Sequence, residues 1–188
     1  MATQVRPECV PRRFDVDDYY RMAEAGILGE HDRVELIEGQ VVEIEPIGAS
    51  HAGTVNELNW LLGRALPDAL RVGVQNPVRL DRWSEPQPDL AVVRAEDLRR
   101  SHPGPEQSLL VIEVAVTSLR YDRNVKLPLY ARHGVPEVWI VDLRGEVVER
   151  YDTPAGGGYG RARPARRGET VEPVAVPGLS LSVDDILG

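Results

Sequence analysis

The chain of 188 residues is short of several residue types, and each shortage closes off a class of protein. With one cysteine, Cys9, it cannot form an internal disulfide, which excludes a secreted, disulfide-stapled scaffold. No apolar run is long enough to cross a bilayer and no signal peptide opens the chain, so a cytoplasmic protein without membrane contact is expected. One Phe and three Trp leave little for the aromatic platform that sugar sites favour. Positive charge is also scarce: 22 Lys and Arg against 30 Asp and Glu give a formal net charge of −8, which argues against a surface coated in phosphate contacts. A local basic groove remains compatible with it, because a field depends on where the charges lie. The sharpest shortage is of lysine. Of the 22 basic residues only Lys126 is a lysine, so an arbitrary surface charge here would be expected to be Arg. An ammonium is a compact point charge whose pKa moves readily on burial, unlike a guanidinium. That marks Lys126 as a candidate for chemistry, against the plainer reading of a solvated helix lysine.

What is present is globular in composition, with 42% hydrophobic and 28% charged residues. One domain over residues 14–188 is expected, preceded by a loose arm at residues 1–13. The stretch from Pro88 to Lys126 organises it. Asp89 opens Pro-Asp-Leu-Ala-Val-Val and Glu113 closes Leu-Leu-Val-Ile-Glu-Val. Both runs are short, β-branched and bounded by turn residues, which predicts two buried strands. An antiparallel pairing with Val93 opposite Leu109 sets Asp89 directly opposite Glu113, and opposed residues have Cβ atoms roughly 5 Å apart. Two carboxylates so close repel unless a proton or cation lies between them. A hard divalent ion such as Mg²⁺, which takes oxygen ligands and keeps several waters, suits that gap.

Around this stretch the pattern predicts further elements. Asp15 caps a helix that stops at Gly26, and residues 33–44 form a hairpin turning at Glu38-Gly39. Glu35 lies on that hairpin, either as an exposed strand residue or as an auxiliary contact of the site. Ser50 caps a helix to about Leu66, with Ala52, Val55, Leu58, Leu62 and Ala65 as its apolar stripe. His51 follows the cap, where a helix N-terminus disfavours an imidazolium; it is either an auxiliary site residue or a surface histidine. Glu57 and Trp60 on the same helix carry no assignment. A strand from Val72 to Leu80 carries Gln75, readable as a substrate contact or as a polar residue on an open face. Residues 94–107, with Arg99 and Arg100, read as a solvated connection. A helix from Asp122 to His133 stops at Gly134, with Asp122 as its N-cap and, at i−4, as a partner that orients Lys126. Pro128 within it removes one helical bond. Residues 138–142 and 147–152 read as a hairpin. Residues 154–168, rich in Gly and carrying Arg161, Arg163, Arg166 and Arg167, read as a flexible surface turn, with a phosphate-tracking segment as the alternative. His31 and His102 stand in no ligand spacing.

Val-Glu-Leu-Ile-Glu-Gly at 34–39, Pro-Gln-Pro-Asp-Leu-Ala-Val-Val at 86–93, Ile-Glu-Val at 112–114 and the block from Tyr121 to Asp142 together resemble the Uma-two family of restriction-endonuclease-like proteins, within the PD-(D/E)XK nuclease superfamily. The resemblance implies a mixed α/β fold with a largely antiparallel central sheet flanked by helices. It also implies DNA as substrate, Mg²⁺ or Mn²⁺ as cofactor, and Asp89, Glu113, Lys126 and Glu35 as catalytic residues, with Asp89 and Glu113 on the metal. His51, Gln75 and Asp122 are the auxiliary candidates, and a homodimer is compatible with this reading. One departure stands out: the superfamily's lysine two residues after the acid would fall at 115, where this chain has Ala115. Related families supply the amine from the following helix, here Lys126. Two rivals remain at this level: a nuclease fold kept as a binding or assembly module without chemistry, and a metal-free carboxylate-pair hydrolase acting on sugars.

Overall fold

The structure, a computed structural model, describes residues 10–29, 31–44, 46–95, 98 and 100–188. Most of the expected N-terminal arm, Cys9 and Arg99 lie outside the described residues. Helix α1, Val16–Glu24, starts at Asp15, whose side chain accepts the Asp18 N–H in a capping box, and it ends before Gly26, where the backbone turns left-handed. Strands β1, Val34–Ile37, and β2, Gln40–Glu43, form the expected hairpin. Glu38 and Gly39 both have positive φ, as a two-residue turn of this kind requires.

Helix α2, Ala49–Ala65, begins at Gly48 rather than Ser50, and no side chain caps it. Its buried face is Thr54, Val55, Leu58 and Leu62, while Ala65 is exposed. Glu57 and Trp60 lie on its solvated side. Strands β3 (Leu70–Val74), β4 (Leu90–Arg94), β5 (Ser108–Ala115), β6 (Glu137–Asp142), β7 (Val147–Ala155) and β8 (Gly158–Arg166) make one six-stranded sheet in that order. Every neighbouring pair is antiparallel except β5 and β6. The third strand is therefore earlier and shorter than the expected 72–80. It ends at Val74 because Gln75 adopts φ 51°, so Gln75 is a turn residue and not a strand residue on an open face.

The sheet buries both faces. Val55, Leu58 and Leu62 of α2 pack on Leu90, Val92, Leu110, Ile112 and Val114. Fully burying a leucine contributes roughly 1.5–3 kcal/mol, so Leu58 and Leu62 fix α2 against the sheet. The alternate residues Ala91, Val93, Val111 and Ala115 meet Leu129 and Tyr130 on the opposite face. Because side chains alternate, Glu113 shares this second face with Val111 and Ala115. Leu90 pairs with Ile112, so the register continues to Asp89 opposite Glu113 as expected. At the far end a bulge between Val92 and Val93 moves Val93 opposite Ser108, not Leu109.

A parallel pair needs a crossover. The segment between β5 and β6 supplies it as α3 (Leu119–Tyr121), a π-helical turn (Asp122–Lys126) and α4 (Leu127–Arg132), ending at Gly134 with positive φ. The helical path thus starts before Asp122, which lies inside it and is not its N-cap. In the π turn the Leu127 N–H reaches the Asp122 carbonyl. Pro128 has no N–H to offer the preceding turn, and the wider bonding pattern accommodates that loss. Residues 154–168 are not a flexible turn: they form the end of β7, a Gly156-Gly157 turn and β8, with Arg163 opposite Arg150. The chain closes with β9 (Thr170–Val171) paired to β10 (Leu181–Ser182), and with a short helix α5 (Val183–Leu187) that the sequence pattern did not predict. Leu179 and Leu181 are buried as expected. Among the described residues no helix is long and apolar enough to cross a membrane.

Candidate active site

A cavity of about 560 Å³ opens where the β1–β2 hairpin, the start of α2, the ends of β3 to β5 and the π turn meet. Glu35, His51, Gln75, Asp89, Glu113, Asp122 and Lys126 all line it, so every site candidate read from the sequence is brought to one place. At its centre the Lys126 ammonium lies 3.2 Å from Glu113 Oε1 and 3.3 Å from Glu35 Oε2. All three side chains are buried, which rules out both the solvated helix lysine and the exposed strand glutamate.

Each carboxylate is held by donors from a different element. Glu113 Oε1 accepts the Tyr130 hydroxyl at 2.7 Å, and Tyr130 stands four residues after Lys126 on the same helical path. Glu35 accepts the Gln87 N–H at 3.0 Å and the Tyr121 hydroxyl at 3.3 Å. Asp89 Oδ2 accepts the Val114 N–H at 2.8 Å and lies 3.0 Å from His51 Nε2. Asp122 accepts the Ser118 hydroxyl at 2.7 Å, so its hydrogen bond goes to the start of the helical segment and not to the Lys126 amine. Gln75 is tied in through its backbone, whose N–H reaches the Asp89 carbonyl at 3.0 Å. Tyr130, Tyr121 and Gln87 were not among the sequence candidates. Tyr130 was signalled by its i+4 spacing from Lys126, and Gln87 by its place between the two prolines before Asp89.

Charge is unevenly balanced here. Burial pushes Glu113 up to about 8 against the pull of Lys126, with Asp122, Asp89 and Glu35 adding to the rise. Burial likewise pushes Asp122 up to about 6, although the Ser118 hydrogen bond and Lys126 oppose it. Burial disfavours the Lys126 ammonium, but Glu113, Glu35, Asp122 and Asp89 together overrule it and hold Lys126 well above the ordinary lysine range. Four acids therefore face one fixed cation. Ala115 is fully buried in the core beside Leu129 and Tyr130, so the amine in contact with Glu113 comes from the helical segment and not from the strand. Among the described residues no group of three or more His, Cys, Asp or Glu is arranged to hold a metal ion.

The six-stranded mixed sheet with helices on both faces, and an acid–lysine cluster at its strand ends, define a restriction-endonuclease-like fold. The chain belongs to the Uma2 family, described as "Putative restriction endonuclease", whose model matches residues 16–184. The resemblance read from the motifs thus holds over most of the chain. Among solved structures it is similar to a putative nuclease belonging to DUF820 from Anabaena variabilis ATCC 29413, at 15% identity and a TM-score of 0.70, over 93% of this chain and 97% of that one. No curated protein matches the chain.

Proposed function

We propose that the protein is a metal-dependent endonuclease that hydrolyses phosphodiester bonds in DNA, with Asp89 and Glu113 as metal ligands and Lys126 as the catalytic amine. The observation that carries this reading is the buried Lys126 ammonium, held between Glu113 and Glu35 on the wall of an open cavity. The donor set suits Mg²⁺ or Mn²⁺. Such ions take oxygen ligands and are commonly held by one or two carboxylates plus waters, so a third protein carboxylate is not required. Asp89 engages both its hydrogen-bond partners through Oδ2, and among the described residues none reaches Oδ1. The excess of acid over base in the cluster favours a further cation. When bound there, the ion polarises the scissile phosphate and acidifies a water.

This chain's own residues would do the rest. Lys126 donates hydrogen bonds to the attacking water or to the phosphoryl oxygens, and its fixed charge stabilises the negative charge that grows during in-line displacement. Glu35, held by Gln87 and Tyr121, keeps the amine aimed into the cavity, while Tyr130 fixes Glu113 from the core side. Arg33 and Arg120 line the same cavity and supply positive charge for a phosphate backbone despite the acidic chain as a whole. DNA as the substrate rests on the family, because the cluster by itself would serve other phosphate esters. The test is incubation with plasmid and oligonucleotide substrates, with and without Mn²⁺. Metal-dependent cleavage that disappears in Glu113→Gln supports the reading; no cleavage with any divalent ion, under conditions where the parent is folded, would overturn it.

A further inference from the structure

His51 reaches the site from the first turn of α2, a helix whose position is set on the sheet by Val55, Leu58 and Leu62. Its Nε2 lies 3.0 Å from Asp89 Oδ2, the oxygen that also takes the Val114 N–H at 2.8 Å. A ring nitrogen facing a carboxylate oxygen at that distance is the protonated one, so Nε2 donates. Two donors from two different elements converge on one oxygen, and together they leave the carboxylate a single orientation. The other ring nitrogen, Nδ1, is buried and has no hydrogen-bond partner among the described residues. The imidazole is therefore anchored by one polar contact, and that contact is Asp89. A histidine placed to stabilise the fold would be expected to satisfy both nitrogens, because a buried acceptor without a partner is a cost.

We propose that His51 is a positioning residue of the site: by donating to Oδ2 it turns the Asp89 carboxylate so that Oδ1 is presented to the cation. This rests on the metal reading above. Outer partners that hold a metal-binding carboxylate set its orientation, and losing one typically costs 10–100-fold in metal affinity or activity. His51 thus acts through Asp89 and needs no contact with the reacting atoms.

The test is Mn²⁺ binding by calorimetry to the full chain without DNA, in the parent, His51→Ala and His51→Gln, each checked by its thermal melt. In His51→Gln the side-chain amide N–H extends to about the place of Nε2 and restores the donor. The expected result is a loss of about 10–100-fold in Mn²⁺ affinity for His51→Ala at an unchanged melting temperature, with His51→Gln close to the parent. A parent that binds Mn²⁺ and a folded His51→Ala that binds it equally well would overturn this inference alone. A parent that binds no Mn²⁺ would overturn the metal reading and this inference with it. If His51→Ala does not fold, His51→Gln decides: near-parental affinity supports the donor role, and affinity as low as that of Asp89→Asn refutes it.

Discussion

Among the described residues two clusters are built around a fully buried glutamate from the same three parts, the glutamate, a tyrosine hydroxyl and a base. In one, Glu85 accepts the Tyr20 hydroxyl at 2.5 Å and the Arg79 guanidinium at 2.6 Å. In the other, Glu113 accepts the Tyr130 hydroxyl and faces Lys126. The first is closed and balanced. One acid meets one base, Arg79 also lies over the Tyr20 ring, and the Glu85 N–H reaches the Leu36 carbonyl, so the cluster ties the β1–β2 hairpin to the segment before β4. The second is open and unbalanced: Lys126 is buried where Arg79 is nearly half exposed, it serves several acids, and it lines a cavity. A buried ion pair alone is weak grounds for function. The difference lies in the surplus of acid and in the adjoining cavity, and those two features favour the proposed site at Lys126 over one at Arg79.

That contrast can be broken or sharpened by substitution. The largest expected effect is on cleavage by Lys126→Ala, where losing one electrostatic stabiliser of developing charge lowers the rate by about 10²–10³. Single-turnover assays on DNA with Mn²⁺ would show it. In the look-alike cluster the effect moves to stability. Arg79→Met leaves Glu85 buried without its base and should cost roughly 1–3 kcal/mol in chemical denaturation, while cleavage stays at the parental rate. A fall in cleavage there, with stability unchanged, would erase the distinction between the two clusters.

A smaller effect tests the acid surplus directly. Asp122 binds its proton more tightly folded, at about 6, than at the ordinary value of 3.8. The folded state therefore loses stability as pH rises from about 4 to about 6 and does not regain it above. Asp122→Asn should flatten that part of the stability profile and, at pH 8, stabilise the protein by an amount on the order of 2 kcal/mol. Denaturant titrations at a series of pH values would measure it, and an unchanged slope would remove Asp122 from the group of acids crowded around Lys126. The smallest effect concerns β8 and the turn that follows it. Arg163 pairs with Asp152 at 2.9 Å and Arg167 with Glu146 at 2.9 Å. Replacing both with Gln should leave the salt dependence of DNA binding unchanged, whereas a slope reduced by about 2 would place phosphates on this edge.

Much of the site was legible because it depends on short-range rules. Period-two alternation and the turn residues put Asp89 opposite Glu113, and the single lysine among so many arginines drew attention to Lys126. The parts that were not legible depend on contacts between distant segments. That Glu35 and Lys126 are buried follows from the β1–β2 hairpin closing over the π turn, which no local pattern reports. The His51–Asp89 contact spans 38 residues of sequence. The π turn itself was hidden, since Pro128 announces a lost helical bond but not how the chain replaces it. The Gly- and Arg-rich stretch read as a loop because its composition disfavours strands; pairing along the whole of β7 overrides that preference. Ser50 looked like a cap by residue type, yet the helix starts earlier, at an uncapped Gly48.

In the proposed mechanism Lys126 acts through the position of its amine and not merely through its charge. The most direct measurement is Mn²⁺-dependent plasmid cleavage by Lys126→Arg, in a preparation that still melts cooperatively. The planar guanidinium keeps the charge but cannot occupy the point between Glu113 and Glu35 that the compact ammonium holds. Cleavage should fall nearly as far as in Lys126→Ala. Cleavage at the parental rate in Lys126→Arg would contradict the account.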